Sequence, residues 1–221
     1  MTATLSTEVD FRGCFFGTTD WASYYDSLQP LAEEVKEILQ RTCPFYPKKR
    51  MFETHLVFQG IQILDNAPLT VAKWLELHPP TSQLKFYFNT NPWHAGQPHT
   101  DEATLEPRLY IMLREIVPGS TYKKPDDQLT LLPEDYKVPT TIEEVTKSIL
   151  GFRKTSKRFN PNVWAACKER TIKTNTANAG DVSCVGRFDE DGLGVSDWRG
   201  HRNDNVGVGA SRILKLESLR T

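Results

Sequence analysis

Residues 91–102 read Asn91-Pro-Trp93-His94-Ala-Gly-Gln-Pro-His99-Thr-Asp101-Glu102 and gather two of the five histidines beside two acids. Side chains on an extended segment alternate, so His99 and Asp101 would share a face and one imidazole and one carboxylate could reach the same ion. With 28 acids in 221 residues, chance placement supplies about 0.6 His-x-acid pairs, so the spacing alone is a weak signal. The structural alternative is a surface turn in which Asp101 accepts local hydrogen bonds.

The C-terminal part adds to this pair. It reads Gly180-Asp181-Val-Ser-Cys184-Val-Gly-Arg-Phe188, a polar loop, then Trp198-Arg199-Gly-His201 and an apolar alternating stretch that opens with Ser211-Arg212. This ordered set resembles the 2-oxoglutarate- and iron(II)-dependent dioxygenases, with spacing closest to the phytanoyl-CoA and taurine branches. The resemblance covers about residues 84–117 and 180–217. It implies a facial triad of His99, Asp101 and His201 on Fe(II), with open positions for 2-oxoglutarate and O2. It also implies that Arg212 pairs with the far carboxylate of 2-oxoglutarate, since a guanidinium donates two parallel hydrogen bonds, with Ser211 adding a hydroxyl contact. Trp93 and Arg199 are candidate substrate contacts; His94 is a poor third choice for the metal. The activity implied is oxidation, by default hydroxylation, of a small organic molecule such as a carboxylic or amino acid or a natural-product intermediate.

The elements that would position these residues follow from periodicity. Leu28 to Leu39 carry apolar residues on one helical face, predicting a helix over about 27–40. A strand-like run, His55 to Leu64, is broken at Gly60 and followed by a turn at Asp65-Asn66. A short helix is expected at 70–77, strands at 84–88 and 109–113, and another strand at 129–132 within a proline-rich excursion. Thr140-Thr-Ile-Glu143 resembles a capping box opening a helix to about Leu150, and two strands close the chain at 181–188 and 211–219. The expected fold class is β-rich α+β: a single jelly-roll (double-stranded β-helix) domain over 1–221 with supporting helices and an inserted lid at about 118–175.

Lys+Arg 27 against Asp+Glu 28 gives a net charge of −1, which argues against nucleic-acid or membrane-surface binding by the whole molecule. The N-terminal residues lack the basic start and apolar run of a secretory signal, and no window is apolar enough for a membrane helix, so a cytoplasmic protein is expected. Cys14, Cys43, Cys167 and Cys184 form no CxxC pair and read as reduced thiols. Two competing functions remain open on these residues. One is a non-catalytic module binding nucleic acid or protein through the basic, aromatic-studded stretch Lys147–Lys173; the other is a metal-dependent isomerase or cyclase that does not use 2-oxoglutarate.

Overall fold

The computed structural model describes residues 10–11, 13–16, 33–87, 92 and 94–214. Its centre is one helix, α6 (Thr141–Thr155), preceded in the chain by α1 (Glu33–Gln40), α2 (Met51–Thr54), α3 (Val71–Leu77), α4 (Pro98–Asp101) and α5 (Pro125–Leu129). The capping box at the start of α6 forms as its sequence predicts. Thr140 Oγ1 accepts from Glu143 N (3.3 Å), and Glu143 Oε2 accepts from Thr140 N (3.2 Å), which satisfies two otherwise orphaned donors. The helix stops at Ser156, which takes up the left-handed conformation (φ 56°).

Two sheets enclose this helix. The first has the order β1-β2-β5-β11-β6, from β1 (Phe15–Phe16), β2 (His55–Gln59), β5 (Leu109–Leu113), β6 (Tyr136–Lys137) and β11 (Ser211–Arg212). The second has the order β10-β7-β8-β9, from β7 (Trp164–Arg170), β8 (Val182–Asp189), β9 (Gly192–Trp198) and β10 (Val206–Val208). Ile142, Val145, Ile149 and Leu150 of α6 pack with Leu56, Phe58 and Met112 of the first sheet and with Val185, Phe188 and Leu193 of the second. The helix is therefore the filling between two sheets, and Thr141 to Gly151 are all buried. The far face of the first sheet, through Val57, Ile111 and Leu113, packs on Val35 and Leu39 of α1. A hairpin of β3 (Ile63–Leu64) and β4 (Ala67–Pro68) turns at Asp65 and Asn66. Both turn residues have positive φ (51° and 61°), the geometry a two-residue hairpin favours.

A β-rich α+β class holds. Several local expectations do not. Between 84 and 87 the chain only runs beside β9, through a parallel bridge from Phe86 to Leu193; Phe88 lies outside the described residues. The strand expected at 129–132 is absent because Pro125 and two acids in the first turn start a helix, α5, that Leu129 ends. The expected helix over 27–40 is described from Glu33 onward, and the last strand is described only as Ser211–Arg212. Residues 118–175, expected as an inserted lid, instead supply α6 and β7, which are core. Among the described residues no helix is long and apolar enough to cross a membrane.

A fully buried ion pair sits within α6. Lys147 Nζ contacts Glu144 Oε1 one turn earlier and donates to Leu113 O of β5 at 3.1 Å. Burial pushes the Glu144 carboxyl up, and the Lys147 charge opposes that shift. Removing one partner strands the other charge in the core, at a cost of about 3–5 kcal/mol, whereas replacing both by apolar residues can be neutral. Lys147→Met should therefore destabilise the protein by about 3–5 kcal/mol in denaturant unfolding, and Glu144→Leu/Lys147→Met should recover much of that. A single variant within about 1 kcal/mol of the parent would contradict this role for the pair.

Candidate functional site

Alternation along the second sheet gives it two unlike faces. Ala165, Val185 and Val195 turn toward α6. Trp164, Ala166, Cys184, Ser196, Trp198 and Val206 take the outer side, where the helix does not reach. Trp164 lies opposite Gly186, which lies opposite Gly194. A Cβ on Gly194 would sit 2.5 Å from Trp164 Cη2, and one on Gly186 would sit 2.8 Å from Trp164 Cα. The missing side chains let the indole lie across the neighbouring strands, partly buried.

Two cavities flank this indole and share Trp164 and Ser196 as walls. One, of about 340 Å³, is bounded by His94, Arg187, Asp189 and Asp191; the other, of about 530 Å³, by Asn178, Asp181, Asp197, Arg199 and His201. The walls are held by specific bonds. Trp198 Nε1 donates to His201 O (2.8 Å) and Trp164 N to Asn205 O (2.7 Å), which fix the loop after β9. Gln97, fully buried, donates from Nε2 to Ile172 O (3.0 Å) and accepts from Ile172 N (2.8 Å), which ties down the histidine loop. Arg187 sits in the left-handed region (φ 43°), where β8 and β9 slip register between Gly186 and Asp189; bulges of this kind re-aim side chains beside sites.

The cleft carries more acid than base. Two guanidinium groups, Arg187 and Arg199, face four carboxyl groups, Asp181, Asp189, Asp191 and Asp197. Burial and then the Asp181 charge, which is within hydrogen-bonding reach, hold the Asp197 carboxyl above the usual range, and Arg199 opposes them. Burial lowers the His94 imidazole, so it is neutral at physiological pH.

The sequence-selected residues are distributed over three places. His99 and Asp101 lie on α4 rather than on an extended segment. Two residues apart on a helix are about 200° apart around its axis, so they do not share a face. Pro98 at the first helical position favours that turn, and Asp101 Oδ2 accepts from Gly96 N at 2.9 Å, which is the local hydrogen-bonding role. His99 is buried, whereas His201 is exposed in the second cavity with Arg199. Trp93 lies outside the described residues. Ser211 and Arg212 belong to the first sheet: Ser211 is buried on the Met112 side, and Arg212 Nη1 pairs with Asp135 Oδ2 at 2.5 Å while its guanidinium rests over the Tyr136 ring. Among the described residues no three His, Cys, Asp or Glu side chains gather to hold a metal ion. His94 is an electrostatic neighbour of both His99 and Asp101.

Comparison with protein-family models, with curated proteins and with solved structures finds no match. Reading motifs did not find Trp164, Asp181 and Asp197 as site residues; the available signal was Gly186 and Gly194 facing an aromatic strand start. The basic stretch 147–173 is not one surface: Lys147 is in the core and Trp164 is in the cleft.

Arg212 borders a second buried network. His55 is fully buried, with Nδ1 2.9 Å from Thr54 Oγ1 and 3.2 Å from Met51 O, and Nε2 3.1 Å from Tyr136 Oη. Burial pushes its imidazole down to about 3. The folded state thus resists a proton that the unfolded chain accepts near the ordinary value of about 6.5, so stability is full above that pH and falls as pH drops toward 3. His78, held down to about 4 by burial, acts the same way. Denaturant unfolding between pH 7 and pH 4.5 should show stability falling with acid, and His55→Gln should remove from that slope the share of one proton, at most about 1.4 kcal/mol per pH unit. An unchanged slope in the variant would contradict the assignment.

Proposed function

We propose that the protein binds a neutral, polyhydroxylated small molecule of the carbohydrate class across the outer face of the second sheet, with Trp164 as the stacking platform. The observation that carries this reading is the partly buried indole lying between two polar cavities that share it as a wall. An indole face offers apolar area to the C–H face of a sugar ring. Planar carboxylate, amide and guanidinium groups around it, such as Asp181, Asn178 and Arg199, can each meet neighbouring hydroxyls with paired hydrogen bonds. The excess of carboxylates disfavours a dianion such as 2-oxoglutarate or a nucleic-acid phosphate here. The Asp181–Asp197 pair adds acid–base capacity beside the ligand, because burial and then the Asp181 charge raise the Asp197 carboxyl.

Isothermal titration with a panel of neutral sugars (glucose, galactose, maltose, cellobiose) tests the proposal. Saturable binding is expected for at least one, weakened roughly tenfold or more by Trp164→Ala and to a lesser extent by Asp181→Asn. Binding unaffected by Trp164→Ala, or no binding across the panel, would overturn it.

A second reading, an iron(II)- and 2-oxoglutarate-dependent oxygenase of a small organic substrate on a distorted jelly roll, keeps the support of residue spacing. One observation favours it: the His94 imidazole feels the charges of both His99 and Asp101. It requires Arg212 to leave Asp135. Anaerobic addition of Fe(II) and 2-oxoglutarate separates the two readings. A weak visible charge-transfer band that His99→Ala and Arg212→Ala abolish would establish the oxygenase; no band, together with sugar binding, supports the first.

A further inference from the structure

Two cations of the basic stretch, Lys157 and Arg158, follow the end of α6 and reach a third cavity, of about 350 Å³, that shares no wall with the cleft described above. Lys49 and Arg114 meet them there from distant parts of the chain. Cations just past a helix end are ordinary, since they complement its carbonyl end. That accounts for Lys157 and Arg158 but not for Lys49 or Arg114.

None of these four cations forms an ion pair with a carboxylate among the described residues. Arg114 is held in place entirely by neutral groups: Nε donates to His55 O (3.0 Å), Nη1 to Glu53 O (3.2 Å), and Nη2 to Gly13 O (3.0 Å) and Phe52 O (3.3 Å). Its charge is fixed and half-buried; burial lowers its pKa, and among the neighbours that oppose the shift is the Glu115 carboxylate on the same lining. The Arg158 guanidinium rests over the rings of Phe152 and Phe188, at 5.3 and 5.9 Å, and its buried Nε has no hydrogen-bond partner. Lys49 leans on the Tyr46 ring, which forms part of the wall. Of the two acids on the lining, Glu53 spends an oxygen on Arg50 N at 2.6 Å, which leaves Glu115 as the acid with both oxygens available.

Four cations face two carboxylates on the lining, and an anion seated among them would offset the excess positive charge. We propose that this cavity binds a phosphoryl group, carried by a small phosphate monoester whose organic part lies toward Tyr46. Lysine supplies point charge and arginine supplies directed donors, the combination that phosphate oxygens accept. The other source of the same chemistry is a nucleic-acid backbone, and the probes below distinguish the two.

The test is calorimetric titration of the full-length chain at low salt with inorganic phosphate, phenyl phosphate and a single-stranded oligonucleotide. The variant is Lys49→Gln/Lys157→Gln, two exposed lysines chosen because Arg114 braces the fold. Phosphate should bind saturably, phenyl phosphate more tightly, and the double variant should lose roughly tenfold or more in affinity for both while keeping the parent's melting temperature without ligand. Retained affinity in the variant, or no saturable binding of either small probe, overturns the proposal. Oligonucleotide binding that weakens steeply with salt, with no saturable phenyl phosphate binding, would assign the charges to a polyanion surface and overturn it equally.

Discussion

A lysine and a glutamate one turn apart, both without solvent contact, lie in the helix that both sheets pack against. Desolvating two charges is costly, and their mutual attraction compensates only when geometry and extra hydrogen bonds are good. Here Lys147 also bonds Leu113 O, so the pair fastens α6 to the end of β5 in one register. One turn earlier, at the start of the same helix, Thr141 Oγ1 bonds Ser183 Oγ (2.7 Å) and Glu169 Oε2 (3.0 Å), which fastens it to the second sheet. Trp74 Nε1 bonds Thr146 Oγ1 (2.9 Å), adding α3. These polar ties set the helix orientation that apolar packing alone would leave loosely specified. The position of the outer cleft follows, because α6 covers one face of the second sheet and leaves the other to the loops.

Parts of this were legible in the residues. The Thr140–Glu143 box and the Asp65-Asn66 turn are local signals, decided by groups within a few residues of each other, and they formed where expected. The central errors came from non-local facts. Lys147 reads as one more exposed cation in a basic stretch, and only the partner at Glu144 and the carbonyl at Leu113 make it core. His99 and Asp101 share a face only if the segment is extended, and Pro98 tips it into a helical turn. Arg212, eleven residues beyond His201, belongs to a different sheet, which sequence spacing does not reveal.

The near-zero net charge conceals a division. The outer cleft has an excess of carboxylates, while the cavity beyond the end of α6 gathers four cations against two carboxylates. A neutral polar ring suits the first and an anion the second. Each field is local, because screening in physiological salt confines it to about 8 Å. The two sites can therefore hold ligands of opposite electrostatic preference on one small protein.

The account depends most on Trp164 as the platform of the outer cleft. The direct measurement is an indole ¹H–¹⁵N spectrum of the labelled protein during titration with maltose and cellobiose, with the Trp164 signal among the five tryptophans assigned through Trp164→Phe. The account predicts a saturable shift of the Trp164 signal with at least one sugar while the signal of Trp74, buried in the core, stays fixed. A Trp164 signal that does not move with either sugar, or shifts confined to the other indoles, would contradict it.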